Sequence, residues 1–196
     1  MSAHAEAGFS LLELLCATAI VLMMSAMAIP QTLVGLDEVR AGAAARYLAG
    51  RLQWGRTYAA AHSSSVGFRF QEIEGRYCYS TYLDGNQDGI RTRDIDEGVD
   101  LPVKPTECLP DAVSGADLGL AEGVPLIGET TPDTSRNPVR LGRTTILAMS
   151  TTGTATPGTL YVRAGRRGQF ALRTLGATGR VRVFEFDWRE RRWVAR

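Results

Sequence analysis

A run of 21 residues, Phe9–Ile29, carries a single charged side chain, Glu13. As a helix rising about 1.5 Å per residue it spans roughly 32 Å, enough for the hydrocarbon core of a bilayer. An ionised carboxylate inside such a run costs on the order of 2.5–3.5 kcal/mol unless a positive charge accompanies it. Two ordinary readings compete: a cleaved secretory signal, with Ala26-Met27-Ala28 as the small-residue cleavage site, or a retained membrane helix. The leader Met1–Gly8 contains no Lys or Arg, and the run exceeds the ~7–15 residues of a signal core. Both features weigh against simple cleavage.

The residues Gly8-Phe9-Ser10-Leu11-Leu12-Glu13-Leu14-Leu15 resemble the type III signal of type IV pilins and type II secretion pseudopilins. The resemblance implies cleavage between Gly8 and Phe9 by a prepilin peptidase, followed by N-methylation of Phe9. It also implies that Glu13 pairs with the Phe9 ammonium of a neighbouring subunit, which makes two costly charges tolerable together.

Beyond Pro30 the residues Leu36, Ala43, Tyr47, Trp54 and Tyr58 recur at spacings of 7, 4, 7 and 4, one face of an amphipathic helix. The opposite face carries Asp37, Arg40, Arg51 and Arg56. A helix from about Phe9 to about His62 is predicted, ~80 Å long, with His62 as a polar residue near its end. Past Ser65 the period shortens to two. Val66–Phe70, Tyr77–Leu83, Thr144–Met149, Gly158–Arg163, Gln169–Arg173, Arg180–Phe186 and Arg189–Val194 read as strands joined by tight turns, hence as antiparallel sheet. Residues 84–143 read mostly as loop with one or two short strands.

The segments Thr154–Val162 and Thr178–Val183 are similar to the closing region of the GspH/FimT group of minor pilins and pseudopilins. The implied fold is α+β and pilin-like: a long N-terminal helix, membrane-spanning in its first half, packed on an antiparallel β-sandwich. The implied organisation is a leader at 1–8, a transmembrane and polymerisation helix at 9–29, its amphipathic continuation at 30–62, and a periplasmic β-rich domain at 63–196. The implied function is that of a minor pseudopilin of a type II secretion filament in the bacterial inner membrane, acting at the tip or in initiation. Its partners are other pilin-like subunits, the prepilin peptidase, the assembly platform, the lipid bilayer and exported cargo. The alternative is a type IV minor pilin that supports pilus biogenesis or binds DNA in natural transformation.

Several constellations bear on chemistry. Cys78 and Cys108 can form a disulfide if the domain faces the periplasm, whereas Cys16 reads as a small apolar residue. Asp84-Gly85-Asn86-Gln87-Asp88-Gly89 opens like a calcium loop, and Asp94 and Asp96 follow it. The position of the bidentate Glu holds Ile95, however, and Asn-Gly and Asp-Gly turns give the same letters without a metal. Calcium on Asp84, Asn86, Asp88, Asp94 and Asp96 and a solvated turn therefore both stand. Gly179-Arg180-Val181-Arg182 offers Arg180 and Arg182 to phosphate, and in some FimT-like members such a turn implies DNA capture. No nucleophile–base pair and no convincing carboxylate pair points to an enzyme.

The formal net charge is only +1, from 22 basic and 21 acidic residues. This argues against a protein that coats polyanions over its whole surface. Charge is nonetheless segregated. Residues 71–135 hold 14 acidic and 4 basic side chains, and residues 160–196 hold 10 Arg against Glu185, Asp187 and Glu190. The simplest expectation is mutual neutralisation in the fold.

Overall fold

The computed structural model describes residues 10–135 and 137–196, the side chains of residues 27–34 excepted. In chain order the elements are α1 (Leu11–His62), β1 (Val66–Ile73), β2 (Arg76–Leu83), α2 (Thr92–Asp96), β3 (Leu101–Cys108), α3 (Leu109–Ala112), β4 (Ala116–Leu118), β5 (Val139–Arg140), β6 (Ile146–Met149), β7 (Gly158–Ala164), β8 (Gly168–Thr174), β9 (Val181–Asp187) and β10 (Arg192–Ala195). Two compact units divide the chain between Leu36 and Asp37.

The expected pilin-like α+β fold, whose helix spans a membrane in its first half, is overturned. No helix among the described residues is long and apolar enough to cross a membrane. Phe9 lies outside the described residues, and so do the side chains of Met27–Ile29 that the 21-residue reading also counted.

In the second unit, Asp37–Arg196, the helical segment 37–62 shares one core with two antiparallel sheets. One sheet has the order β3-β2-β1-β6, the other β10-β9-β8-β7-β4, with β5 also paired to β7. The helix buries Ala41, Ala44, Ala45, Leu48, Leu52 and Ala59 completely. Spacings of three, four and seven, with Ala44 and Ala45 adjacent, keep them on one face. The amphipathic stripe expected from the large residues lies at the margin of this face. Tyr47, Trp54 and Tyr58 are half-buried and Leu36 is exposed. Small side chains occupy the centre because they let the helix backbone approach the strands closely, while the aromatics reach sideways over the edges.

Against that helical face stand Val66, Phe68 and Phe70 of β1, Tyr79 of β2, Leu147 and Met149 of β6, Leu160 and Val162 of β7, and Leu172 of β8. The opposite face of the larger sheet builds a second cluster from Tyr161, Ala171 and Phe186, covered by Leu120 and Val124. Buried Gln169 ties that cover down: its amide donates to the carbonyls of Gly119 and Val162 and its carbonyl accepts from Ala121 N–H at 2.7 Å. Segment 84–143, read mostly as loop with one or two strands, contains three strands and two short helices. Strand β3 escaped notice because Leu101–Cys108 holds Pro102, Pro105 and Lys104 and buries little apolar surface. It is held to β2 by other means.

Candidate functional site

The processing residues Gly8 and Phe9 lie outside the described residues. Immediately after them, Ser10 stands at the N-cap of α1 and its hydroxyl accepts the Glu13 N–H at 3.2 Å. Ser10-Leu11-Leu12-Glu13 has the spacing of a capping box, in which a Glu at the third helical position also sits favourably near the positive end of the helix dipole. The sequence points to a charge pair for Glu13; its backbone N–H is also the donor that Ser10 caps. Glu13 is exposed. Around it Leu11, Leu12, Leu14, Leu15, Ile20, Val21, Leu22, Met23 and Met24 are each more than half exposed, so the helix is apolar on every side and uncovered. Cys16 is an exposed free thiol on the same stretch.

The candidate calcium residues are not brought together. Asp84 is buried, and its two oxygens accept Gln87 N–H and Gly89 N–H, each at 2.8 Å. Asn86 caps Asp88 N–H. Asp88 pairs with Arg91 at 2.6 Å, Asp96 with Arg69 at 2.8 Å. Asp94 is buried, faces the Arg93 guanidinium at 3.3 Å with one oxygen, and leaves the other without a hydrogen bond. Asp100, which the sequence reading did not include, closes the loop by accepting Gly85 N–H and Arg91 N–H. Among the described residues no group of three or more His, Cys, Asp or Glu side chains is placed to hold a metal ion. The oxygens that read as cation ligands largely hold the loop's own amides and neighbouring guanidinium groups, as Asx turns do.

Cys78 and Cys108 form a disulfide and are register partners on β2 and β3. The next register pair, Tyr79 and Glu107, carries a polar hub. One Glu107 oxygen accepts Tyr79 O–H at 2.7 Å, Tyr47 O–H at 3.0 Å and Arg51 Nε at 2.9 Å, and the other accepts the Arg51 terminal nitrogen. Burial alone would raise the Glu107 carboxyl, but the donors from Tyr79, Arg51 and Tyr47 hold it below its ordinary value. Burial, then the bond to Glu107, pushes the Tyr79 phenol well up, so it stays protonated. Lys104, over the Trp54 ring at 4.3 Å from its centroid, gives β3 another hold on α1.

Arg180 lies in the turn before β9, and Arg182 is in the strand. Gly179 has φ +59°, and a Cβ there would stand 2.5 Å from the Gly153 carbonyl oxygen. Its part in Gly-Arg-x-Arg is therefore to close the turn against a neighbouring loop. Arg182 is directly opposite Arg173 across the β8–β9 ladder, and all three Arg are exposed. The acids nearest in sequence are engaged elsewhere. Glu185 pairs with Arg196 at 2.5 Å, and Asp187 caps the N–H groups of Arg189 and Glu190. Among the described residues Arg173, Arg180 and Arg182 have no carboxylate within 4.0 Å. In the sequence Arg173 is one of several Arg around this turn, with Arg163, Arg166, Arg167 and Arg189; strand register singles it out as the partner of Arg182. No family model matches the chain, and neither a curated protein nor a solved structure matches it.

Proposed function

We propose that this chain is a non-enzymatic subunit of a pilus-like filament, similar to the minor pseudopilins of the GspH/FimT group. In this reading it is matured by cleavage between Gly8 and Phe9 and serves type II protein secretion. The observation that carries the reading is the uncovered apolar helix from Leu11 to Met24, directly after the Gly8-Phe9 junction. Nine large apolar side chains exposed on all sides of one helix are unstable in water, and packing against like helices of neighbouring subunits removes them from it. The Cys78–Cys108 disulfide favours an oxidising compartment such as the periplasm. The globular unit would sit at or near the filament tip, with assembly at the inner membrane and contact with neighbouring subunits or exported cargo.

The direct test is N-terminal mass mapping of the mature chain in a host with and without a prepilin peptidase. An N-methylated Phe9 terminus that depends on the peptidase supports the reading. A chain that keeps Met1–Gly8 in both hosts overturns it.

A second reading, DNA capture by a minor pilin, is favoured by the unpaired Arg173, Arg180 and Arg182. Guanidinium groups bind phosphate without reading sequence, and such binding weakens steeply with salt. Replacing Arg180 and Arg182 with Ala abolishes salt-sensitive DNA retention if this reading holds; unchanged retention removes it.

A further inference from the structure

The two oppositely charged stretches meet where Asp117 stands opposite Arg163 across the β4–β7 ladder, but among the described residues they form no ion pair with each other. None of the nine ion pairs among the described residues joins an Arg of 160–196 to an acid of 71–135. The acidic stretch is served by Arg51, Arg69, Arg76, Arg91, Arg93 and Arg140, whereas Arg192 and Arg196 pair only with Glu190 and Glu185 of their own stretch. Two surfaces carry exposed charge of opposite sign without an ion pair between them among the described residues. One is the Arg173, Arg180 and Arg182 face. Like charges directly opposite in a ladder are destabilising, and an external anion relieves that cost. The other is the β1–β2 turn with exposed Glu72 and Glu74, which adjoins a recess of about 300 Å³ lined by Gly75, Tyr77, Asp117, Glu122 and Arg163.

We propose that the Arg173–Arg180–Arg182 face is a docking surface for the acidic β1–β2 turn and its adjoining recess on a second copy of this chain. The chemistry is matched, since guanidinium groups bind carboxylates with directional, paired hydrogen bonds. A net charge of +1 also suits this partner better than a long polyanion, which the acidic stretch would repel. Donor and acceptor surfaces lie on different elements, so two copies can exchange both contacts about a two-fold axis or pass one contact on head-to-tail. The inference stands on the charge layout of the second unit and not on the filament reading, so failure of the N-terminal mapping leaves it intact.

The test uses the full chain in non-ionic detergent with micelles in excess, carrying a photoreactive benzoylphenylalanine at exposed Ala177 beside the Arg face. Isotope-labelled and unlabelled copies are mixed so that cross-links between copies are recognised by mass. The expected result is inter-copy cross-links to peptides containing Glu72–Glu74 or Asp117–Glu122, falling at least tenfold in 0.5 M NaCl. Arg173→Glu with Arg182→Glu removes them, Glu72→Arg with Glu74→Arg removes them, and mixing the two variants restores them. The proposal is overturned if inter-copy cross-links are absent, if charge reversal leaves them unchanged, or if the mixed variants fail to restore them. It is also overturned if a double-stranded DNA oligonucleotide occupies the Arg face while the copies stay apart.

Discussion

Arg51 of α1 donates to both carboxylate oxygens of Glu107 on β3, with Nε at 2.9 Å from one of them. Tyr47 and Tyr79 add their hydroxyls to the same carboxylate, so one acid joins the helix to two strands. Removing it strands an Arg and two Tyr in largely buried positions. Glu107→Ala is expected to cost on the order of 3 kcal/mol, and Glu107→Gln less, because an amide oxygen still accepts. Urea titration of the two variants checks the order; equal loss contradicts it. The pH dependence has a definite sign. The folded Glu107 carboxyl lies below its ordinary value of 4.5, so its contribution is fully present above that pH. It is lost as pH falls through the folded value. The Glu107→Gln variant should therefore lose less stability than the parent on acidification below 4.5.

The disulfide acts on the same strand. Cys78 and Cys108 are 30 residues apart in sequence, and on chain-entropy grounds closing such a loop contributes about 3–4 kcal/mol. Strand β3 buries little apolar surface of its own and depends on this bond more than a core strand would. Replacing both Cys with Ser should lower Tm by about 6–15 °C for a chain of this size, read by calorimetry. Loss of hydrogen-exchange protection should concentrate in β3.

The sequence made some features legible and concealed others for physical reasons. Alternation in Val66–Phe70 and Tyr77–Leu83 marks the β1–β2 hairpin because these strands face a core on one side. Strand β3 has no such alternation, since a disulfide and a polar hub hold it rather than apolar burial. The helix face was read from its large residues, but the centre is Ala41, Ala44 and Ala45. Small side chains carry little hydropathy signal even where burial is complete. Asp84–Gly89 reads alike whether its oxygens hold a cation or backbone amides, and only the hydrogen bonds separate the two. Arg173 meets Arg182 through register, which no local motif encodes.

Two glycines of α1 make opposite predictions. A Cβ at Gly50 meets nothing within 4 Å, so Gly50→Ala should gain the helix-propensity difference of about 0.5–1 kcal/mol. A Cβ at Gly55 would stand 2.5 Å from the Phe68 ring. Phe68 is fully buried and has no room to retreat, and overpacking of this kind costs about 1–3 kcal/mol. Gly55→Ala should therefore destabilise despite the same propensity gain. Chemical denaturation of the two variants decides, and a stabilised Gly55→Ala would mean that the helix shifts off β1.

Chelation should leave the globular unit unchanged. The Asp84 carboxylate is taken by Gln87 N–H and Gly89 N–H, and Asp88 and Asp96 by Arg91 and Arg69. A cation binding only the folded state would raise Tm with concentration. The expected outcome is a Tm that millimolar calcium or EDTA moves by less than a degree. A shift of several degrees that vanishes in Asp84→Asn would restore calcium to this loop.

Glu13 offers a test in which local structure and assembly give different answers. At the third helical position after Ser10, a Gln replaces Glu in a capping box, whereas Ala does not. If capping is its whole role, Glu13→Gln behaves as the parent and Glu13→Ala loses about 0.5–1 kcal/mol of helix stability at most. If its charge meets the ammonium of a neighbouring Phe9, as the filament reading requires, Gln fails as completely as Ala. The expected outcome is that both variants are processed normally but enter filaments at least tenfold less than the parent, measured by quantitative immunoblotting of sheared filaments. Normal incorporation of Glu13→Gln would confine Glu13 to the helix terminus and remove the charge pair from the account of assembly.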